Sequence, residues 1–367
     1  MRIAYLATSR VPSTEANAVH VMRMANALAA LGHDVQLIAR EGEQTLGPPH
    51  DYYGTHGFDI VSLEENPLRG IRPWLYAARA CRCARAWRAD VAYGRDPHSL
   101  LCLAKTGIPT GFELHELSEG RRARLEARLL RQPNLRAAVF ITAALEGDYL
   151  HRHAFLAHVP RIVAADGADE VAPLPPRHGE DLAGGTVGYV GHLYAGRGIE
   201  LIHELAARMP EVPFEVVGGT PHLVELHRST TEHLDNLRFV GQVPARDVGR
   251  HLSTFQIVLA PYQTGLRTAR GGDTSRWMSP LKIFEYMSHG LPIVASDLPA
   301  LHEVLQHEAN ALLVEPTDVD AWEAAIRRLR DTPDLRARIG NRARADIAET
   351  YSWRRRAQRI VDMLVAP

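Results

Sequence analysis

The 367-residue sequence predicts an α/β protein of two Rossmann-like, doubly wound domains, on three observations. Short apolar runs alternate with segments of helical period, the pattern of parallel strands joined by crossover helices. The alternation breaks across the Pro- and Gly-rich stretch 171–185 and then restarts. The length exceeds one ordinary α/β core and suits two domains.

In the first half, strands are expected at Ile3–Ala7, Val35–Ala39, Ile108–Phe112 and Ala138–Ile141. Between the first two, Val19, Met22, Ala25 and Ala29 recur at helical spacing, which gives a helix over Val19–Leu31 with Asn17 as N-cap and Gly32 as its stop. The domains are expected at 1–170 and 186–350, with 171–185 as linker and 351–367 as a closing helical segment. In the second half, apolar runs at Val187–Val190, Phe214–Val217, Leu237–Val240, Ile257–Ala260 and Ile293–Ala295 read as strands, each followed by a helix. Doubly wound sheets hold ligands at the carboxyl ends of their strands, so a cleft between the domains is the expected site.

Composition narrows the partners. Basic and acidic residues nearly cancel, 42 against 43, so the overall field gives no case for a nucleic-acid partner and any anion site must be local. Cys81, Cys83 and Cys102 are odd in number and lack zinc-ligand spacing, and are read as reduced thiols. There is no run of about 18 apolar residues, and the chain enters a strand at once with no signal peptide ahead of it, so a cytoplasmic location is expected.

The sharpest local feature is Ser279-Pro280-Leu281-Lys282-Ile283-Phe284-Glu285-Tyr286-Met287, after an irregular loop containing Gly271 and Gly272. Ser279 suits an N-cap and Pro280 the first helical position, which leaves the amides of Leu281, Lys282 and Ile283 free for phosphate. A lysine in a first turn opposes the helix dipole unless an anion shares the place. Lys282, Glu285 and His289 fall on one face, so a cation and a carboxylate meet the same space. The lysine suits a diphosphate and the carboxylate suits ribose hydroxyls. A solvated Lys–Glu pair is the alternative.

A second such feature is Gly188-Tyr189-Val190-Gly191-His192 followed by Gly196-Arg197-Gly198-Ile199. A strand runs into a glycine-rich turn, a helix starts after it, and Arg197 again stands at a helix start with glycines that allow close backbone approach. A tight turn with a solvated arginine is the alternative. The G-x-G-x-x-G dinucleotide fingerprint is not met, which disfavours a dehydrogenase. In the first half, Glu113-Leu114-His115-Glu116 directly follows an expected strand, so His115 can meet a sugar hydroxyl or a phosphate, or be structural. Tyr93-Gly94-Arg95-Asp96 ends another strand, with an Arg–Asp ion pair as its alternative reading.

Together these motifs resemble the family 4 (group 1) retaining glycosyltransferases of GT-B fold. The likeness extends from the Asn17–His33 helix through Glu113–His115, Gly191–Gly198 and Ser279–Gly290 with Pro292-Ile293-Val294-Ala295-Ser296, to Tyr351-Ser352-Trp353. The resemblance implies that Arg197 and Lys282 neutralise a donor diphosphate and that Glu285 binds its ribose. His115 would contact the transferred sugar near the anomeric carbon. Gly191, His192, Gly196, Ser279, Pro280 and Leu281 would line the donor, and the backbone from Gly241 to Val243 would hold the base. Asn17 and Glu113 would lie on the acceptor side, and a helix over Ser352–Leu364 would return to the first domain. The family's paired glutamates are separated by seven residues, and the position matching the first is Trp277 here.

The expected reaction is therefore retaining, metal-independent transfer of a hexose or N-acetylhexosamine from a nucleoside diphosphate sugar, a UDP-sugar ahead of a GDP-sugar. The acceptor is a hydroxyl of a glycan, a lipid-linked or a small molecule. No cofactor and no metal are expected. Cations and helix amides that meet charge developing on the leaving diphosphate favour the transition state over the ground state. A nucleotide-sugar epimerase of the same architecture and a non-catalytic sugar-nucleotide-binding subunit are the competing readings. Arg121, Arg124, Arg128 and Arg131 cluster on one helical face beside Leu125 and Leu129, which suggests peripheral contact with an anionic membrane or simply a solvated basic face.

Overall fold

The computed structural model describes residues 1–64, 71–172, 185–264 and 276–366. Gly271, Gly272 and most of the expected linker lie outside the described residues. The chain divides into two compact units, Met1–Asp166 with Trp353–Pro367, and Gly167–Ser352. The first crossing falls just before 170, so residues 167–170 belong to the second unit.

The first unit carries β1 (Arg2–Val11), β2 (Asp34–Glu41), β3 (Asp59–Leu63), β4 (Val91–Gly94), β5 (Thr110–Leu114), β6 (Leu135–Phe140) and β7 (Arg161–Val163). They form one parallel sheet in the order β3-β2-β1-β4-β5-β6-β7. Its helices are α1 (Ala16–Ala30), α2 (Pro49–Tyr53), α3 (Arg72–Ala86), α4 (Pro97–Ala104), α5 (Gly120–Leu129) and α6 (Ala143–Arg152). The second unit has β8 (Thr186–Val190), β9 (Phe214–Val217), β10 (Leu237–Gly241), β11 (Phe255–Ala260), β12 (Ile293–Ser296) and β13 (Leu312–Val314). Their order, β10-β9-β8-β11-β12-β13, repeats that of the first sheet, again all parallel. Its helices are α7 (Ile199–Arg208), α8 (Pro221–Thr230), α9 (Val248–Leu252), α10 (Leu281–Ser288), α11 (Val319–Asp331) and α12 (Pro333–Asp346). The strand order of each sheet reverses beside its first strand, between β1 and β4 and between β8 and β11. Doubly wound folds place ligands at such switch points.

Strand positions follow the apolar runs because fully buried parallel strands need side chains that are apolar on both faces. In β11, all six residues are buried. The second core gathers Val187, Tyr189, Phe214, Ile257 and Leu259 from the sheet with Ile202, Leu205, Trp322 and Ile326 from α7 and α11. Each such aliphatic side chain contributes about 1.5–3 kcal/mol on leaving water.

The closing helix, α13 (Trp353–Val365), lies in the first unit, where it contacts α1 and β6 and buries Ile360, Val361 and Leu364. Gly111 in β5 makes room for it, since a Cβ there would stand 2.7 Å from Leu364 Cδ2.

Some expectations are corrected. The strand expected at Ile108–Phe112 starts two residues later, because Pro109 cannot donate to the ladder, so Glu113 lies inside β5 and not after it. Asn17 is inside α1, whose N-cap is Glu15. The run at Ile293–Ala295 is followed by turns up to β13 and not by a helix. Leu125 and Leu129 of α5 are buried, so these two leucines add no apolar surface beside its arginines.

Candidate functional site

In the second unit the candidate site sits at the ends of β8 and β11. After β8 the chain turns through Gly191 and His192 to Gly196 and Arg197, and α7 starts with Gly198 as its left-handed N-cap. Gly198 is required there, since at φ 76° a Cβ would be 2.0 Å from the Pro261 carbonyl oxygen. On the other side of the switch point, Tyr262 follows β11 and α10 carries Lys282 in its first turn. The cap differs from expectation. Pro280 is the N-cap and Leu281 the first helical residue, so Ser279 lies one position outside the helix. The Ile283 amide is taken by the Pro280 carbonyl at 3.0 Å, which leaves the amides of Leu281 and Lys282 at the helix start.

The Lys282 ammonium is enclosed. Nζ lies 3.8 Å from the Tyr189 ring centroid and 5.0 Å from that of Tyr262, and it has no hydrogen-bond partner among the described residues. The Arg197 guanidinium lies 5.4 Å from the Tyr262 ring centroid as well. Burial, then the neighbouring Arg197, holds the Lys282 amine well below the usual lysine range, against the pull of Glu285. The same two cations, after burial, push His192 down to about 4, so His192 is a neutral hydrogen-bonding group. Gly191 is matched to this lysine, since a Cβ on it would come within 2.7 Å of Nζ. Tyr286 ties α10 to the turn: its hydroxyl accepts from the Val190 amide at 2.8 Å. His289, expected on the Lys282–Glu285 face, sits at the end of α10 with Nδ1 2.9 Å from the Glu285 carbonyl oxygen. Gly241 ends β10 with its carbonyl accepting from the Gly218 amide at 2.7 Å, and half-buried Val243 follows.

Lys282, Arg197 and two helix amides thus gather at the strand ends, the set of groups that suits an anion. Tyr189, Tyr262 and Tyr286 were invisible as site members in the sequence, because each reads locally as a core aromatic.

The first unit holds a different cluster. Glu113 is buried in β5, and its Oε1 lies 2.7 Å from His20 Nε2 of α1 and 3.2 Å from Arg356 Nη2 of α13. His115 Nε2 bonds to the same oxygen, and the Tyr93 hydroxyl donates to Oε2. The other nitrogen of His20 lies 2.9 Å from Asp166 Oδ1. Burial alone would raise the Glu113 carboxyl; Arg356 and His20 overturn that and hold it well below the usual range. His115 is pushed down to about 4 by burial and by Arg95. Asp96, expected as a possible partner of Arg95, instead caps α4, accepting from the Ser99 amide at 3.1 Å.

His20, Glu113 and His115 each offer a ligand atom within 4.8 Å of the others. The Arg356 guanidinium lies on the same Glu113 carboxylate oxygen, 3.2 Å away. An acidic D-x-D triplet occurs at Asp318-Val319-Asp320. Asp318 caps α11 through the Ala321 amide at 3.0 Å, and Asp320 pairs with Arg208 at the end of α7. Asn17 is half-buried in α1. Of the arginines, Arg121, Arg124 and Arg128 are exposed, while Arg131 lies beyond the end of α5 and stacks 3.9 Å over Phe155. Among the described residues no helix is long and apolar enough to cross a membrane.

Two family models match the chain, glycosyltransferase family 4 over residues 18–163 and glycosyl transferases group 1 over residues 184–332. The chain belongs to the family 4 glycosyltransferases. This family 4 glycosyltransferase is 26% identical over 166 residues to a GDP-mannose-dependent monoacylated alpha-(1-6)-phosphatidylinositol monomannoside mannosyltransferase of Corynebacterium glutamicum, covering 45% of this chain and 42% of that one. It is 26% identical over 217 residues to the alpha-D-kanosaminyltransferase of Streptomyces kanamyceticus, covering 57% and 52%. The chain thus spans about half the length of the curated relatives it matches. Over 100% of both chains it superposes on the Anabaena protein HepE, solved with UDP and glucose, at a TM-score of 0.73 and 17% identity. The fold is GT-B.

Proposed function

We propose that this protein is a retaining, metal-independent glycosyltransferase that moves a hexose or N-acetylhexosamine from a nucleoside diphosphate sugar to an acceptor hydroxyl. The observation that carries this is the enclosed Lys282 ammonium, unpartnered among the described residues, beside Arg197 at the starts of α10 and α7. An unpaired buried cation is costly, and a diphosphate removes that cost. As the bond from the anomeric carbon to the diphosphate oxygen breaks, negative charge grows on that oxygen, where Arg197, Lys282 and the amides of Leu281 and Lys282 stabilise it. The acceptor oxygen bonds to the anomeric carbon and its proton passes to the departing phosphate oxygen. Glu285 accepts from ribose hydroxyls, the backbone at Gly241 and Val243 receives the base, and His115 meets a hydroxyl of the transferred sugar.

The HepE structure contains UDP, and the Corynebacterium relative is named for GDP-mannose. The test therefore uses UDP-glucose, UDP-N-acetylglucosamine and GDP-mannose with glycan and lipid-linked acceptors, reading nucleotide release and the anomeric configuration of the product. Release that rises with acceptor and gives a product of retained configuration is expected. Interconversion of the donor without acceptor would replace the transferase with an epimerase.

A further inference from the structure

The cluster around Glu113 is charge-balanced when one of its two histidines is protonated, and which one it is fixes how His115 presents itself. Its members come from five places in the chain: His20 on α1, Tyr93 on β4, Glu113 on β5 with His115 directly after that strand, Asp166 at the end of the first pass, and Arg356 on α13. Except for His115, whose side chain is 17% exposed, they are essentially removed from water. His20 has a carboxylate at each ring nitrogen, Glu113 at 2.7 Å and Asp166 at 2.9 Å. A neutral imidazole would leave one lone pair facing a carboxylate at ion-pair distance, so this placement favours an imidazolium. Burial opposes this, but Glu113 and Asp166 together raise the His20 value. Two carboxylates, one guanidinium and one imidazolium then sum to zero.

A second imidazolium at His115 would leave an uncompensated positive charge in this dry cluster, 5.0 Å from the His20 ring and close to Arg95. His115 is therefore neutral and has one proton to place. Its Nε2 faces Glu113 Oε1, a pure acceptor, so the proton is on Nε2 and Nδ1 keeps its lone pair.

We propose that Arg356 and His20 are positioning residues that hold His115 neutral, with Nε2–H bound to Glu113 and Nδ1 offered as a hydrogen-bond acceptor for a substrate hydroxyl. In this state His115 cannot act as a general acid. The role given to the Nδ1 lone pair rests on the function proposed above; the tautomer itself does not.

The tautomer is tested in the wild-type protein by nitrogen-15 NMR of labelled histidines between about pH 5.5 and about pH 8, the range in which ordinary histidines titrate. Signals are assigned with His115→Gln and His20→Gln. His115 as the neutral Nε2–H form and His20 as a doubly protonated ring throughout are expected. A His115 ring protonated at Nδ1, or charged at about pH 6, overturns the proposal. The positioning role is tested by the pH dependence of kcat/KM. Wild type should show no acid limb near the ordinary histidine range. Arg356→Gln removes one positive charge, so His115 should take up a proton. Activity should then fall at least about tenfold below neutral pH and recover on the alkaline side, and Arg356→Lys should restore the flat profile. A loss in Arg356→Gln that is equal at every pH marks a merely structural arginine and overturns the role. Thermal unfolding confirms that the variants fold, and if Arg356→Gln does not, the wild-type spectra still decide the tautomer. If no nucleoside diphosphate sugar is turned over, the proposed function fails while the spectra still test the charge state of His115.

Discussion

Replacing Lys282 with methionine should make the protein more stable and less active at once. Methionine keeps an apolar stem reaching toward the Tyr189 and Tyr262 rings and removes the ammonium, which has no hydrogen-bond partner among the described residues. An unpaired buried ion costs several kcal/mol in effective terms, and cation–π attraction to two rings returns about 2 kcal/mol. Part of the cost is already avoided, because burial and Arg197 lower the lysine value and favour the neutral amine. A net gain of about 1–2 kcal/mol is expected, which for a unit of this size raises the unfolding midpoint by roughly 2–8 °C. Removal of one transition-state donor costs at least about a hundredfold in turnover. Calorimetric unfolding and steady-state nucleotide release measure the two effects. A variant that unfolds earlier than wild type, or keeps turnover within about tenfold, would refute the assignment of Lys282 to a leaving-group diphosphate.

The wild-type lysine also carries a pH signature. Its folded value is lowered, so between that value and the unfolded value near about 10.4 the unfolded chain binds more protons and stability should rise with pH; Lys282→Met should lose that rise in urea titrations. His192 has the same sign. With its folded value at about 4, acid should destabilise the protein between roughly pH 6.5 and that value by at most about 1.4 kcal/mol per pH unit, and His192→Gln should flatten this limb. Trp277→Glu restores the carboxylate found at the matching position of the family, and a donor panel should show altered sugar preference with nucleotide affinity unchanged; an identical sugar ranking would contradict that placement. Because Leu125 and Leu129 are buried, any binding of Arg121, Arg124 and Arg128 to anionic vesicles should be electrostatic and vanish at high salt in co-sedimentation.

The two helix starts were legible in the sequence because they are local. At Arg197 a strand, a glycine turn and a cation just before a helix sit within a dozen residues, and at Lys282 the dipole applies to a first-turn cation without any tertiary information. The enclosure of that lysine was not legible, because Tyr189 on β8 and Tyr262, just after β11, are brought together only by the pairing of those strands in the sheet. The Glu113 cluster was hidden for the same reason, with His20 and Arg356 brought together by α1 and α13 from opposite ends of the chain. Strands β3, β7 and β13 were missed because their burial is partial or they are only three residues long, too short for a period to show. Cap positions slipped by one or two residues at Ser279 and Asn17, where polar side chains next to a helix start look like caps whether or not they accept an amide. Pro280 took the cap through its backbone alone.

The central claim is that Arg197 and Lys282 receive the diphosphate of a nucleotide donor. Calorimetric titration of UDP, GDP, ADP and dTDP into wild type, Arg197→Ala and Lys282→Met tests it most directly. Saturable binding of one nucleoside diphosphate by wild type, weakened at least about tenfold in both variants, is the expected result. Binding of none of the four, or binding unchanged in both variants, would contradict it.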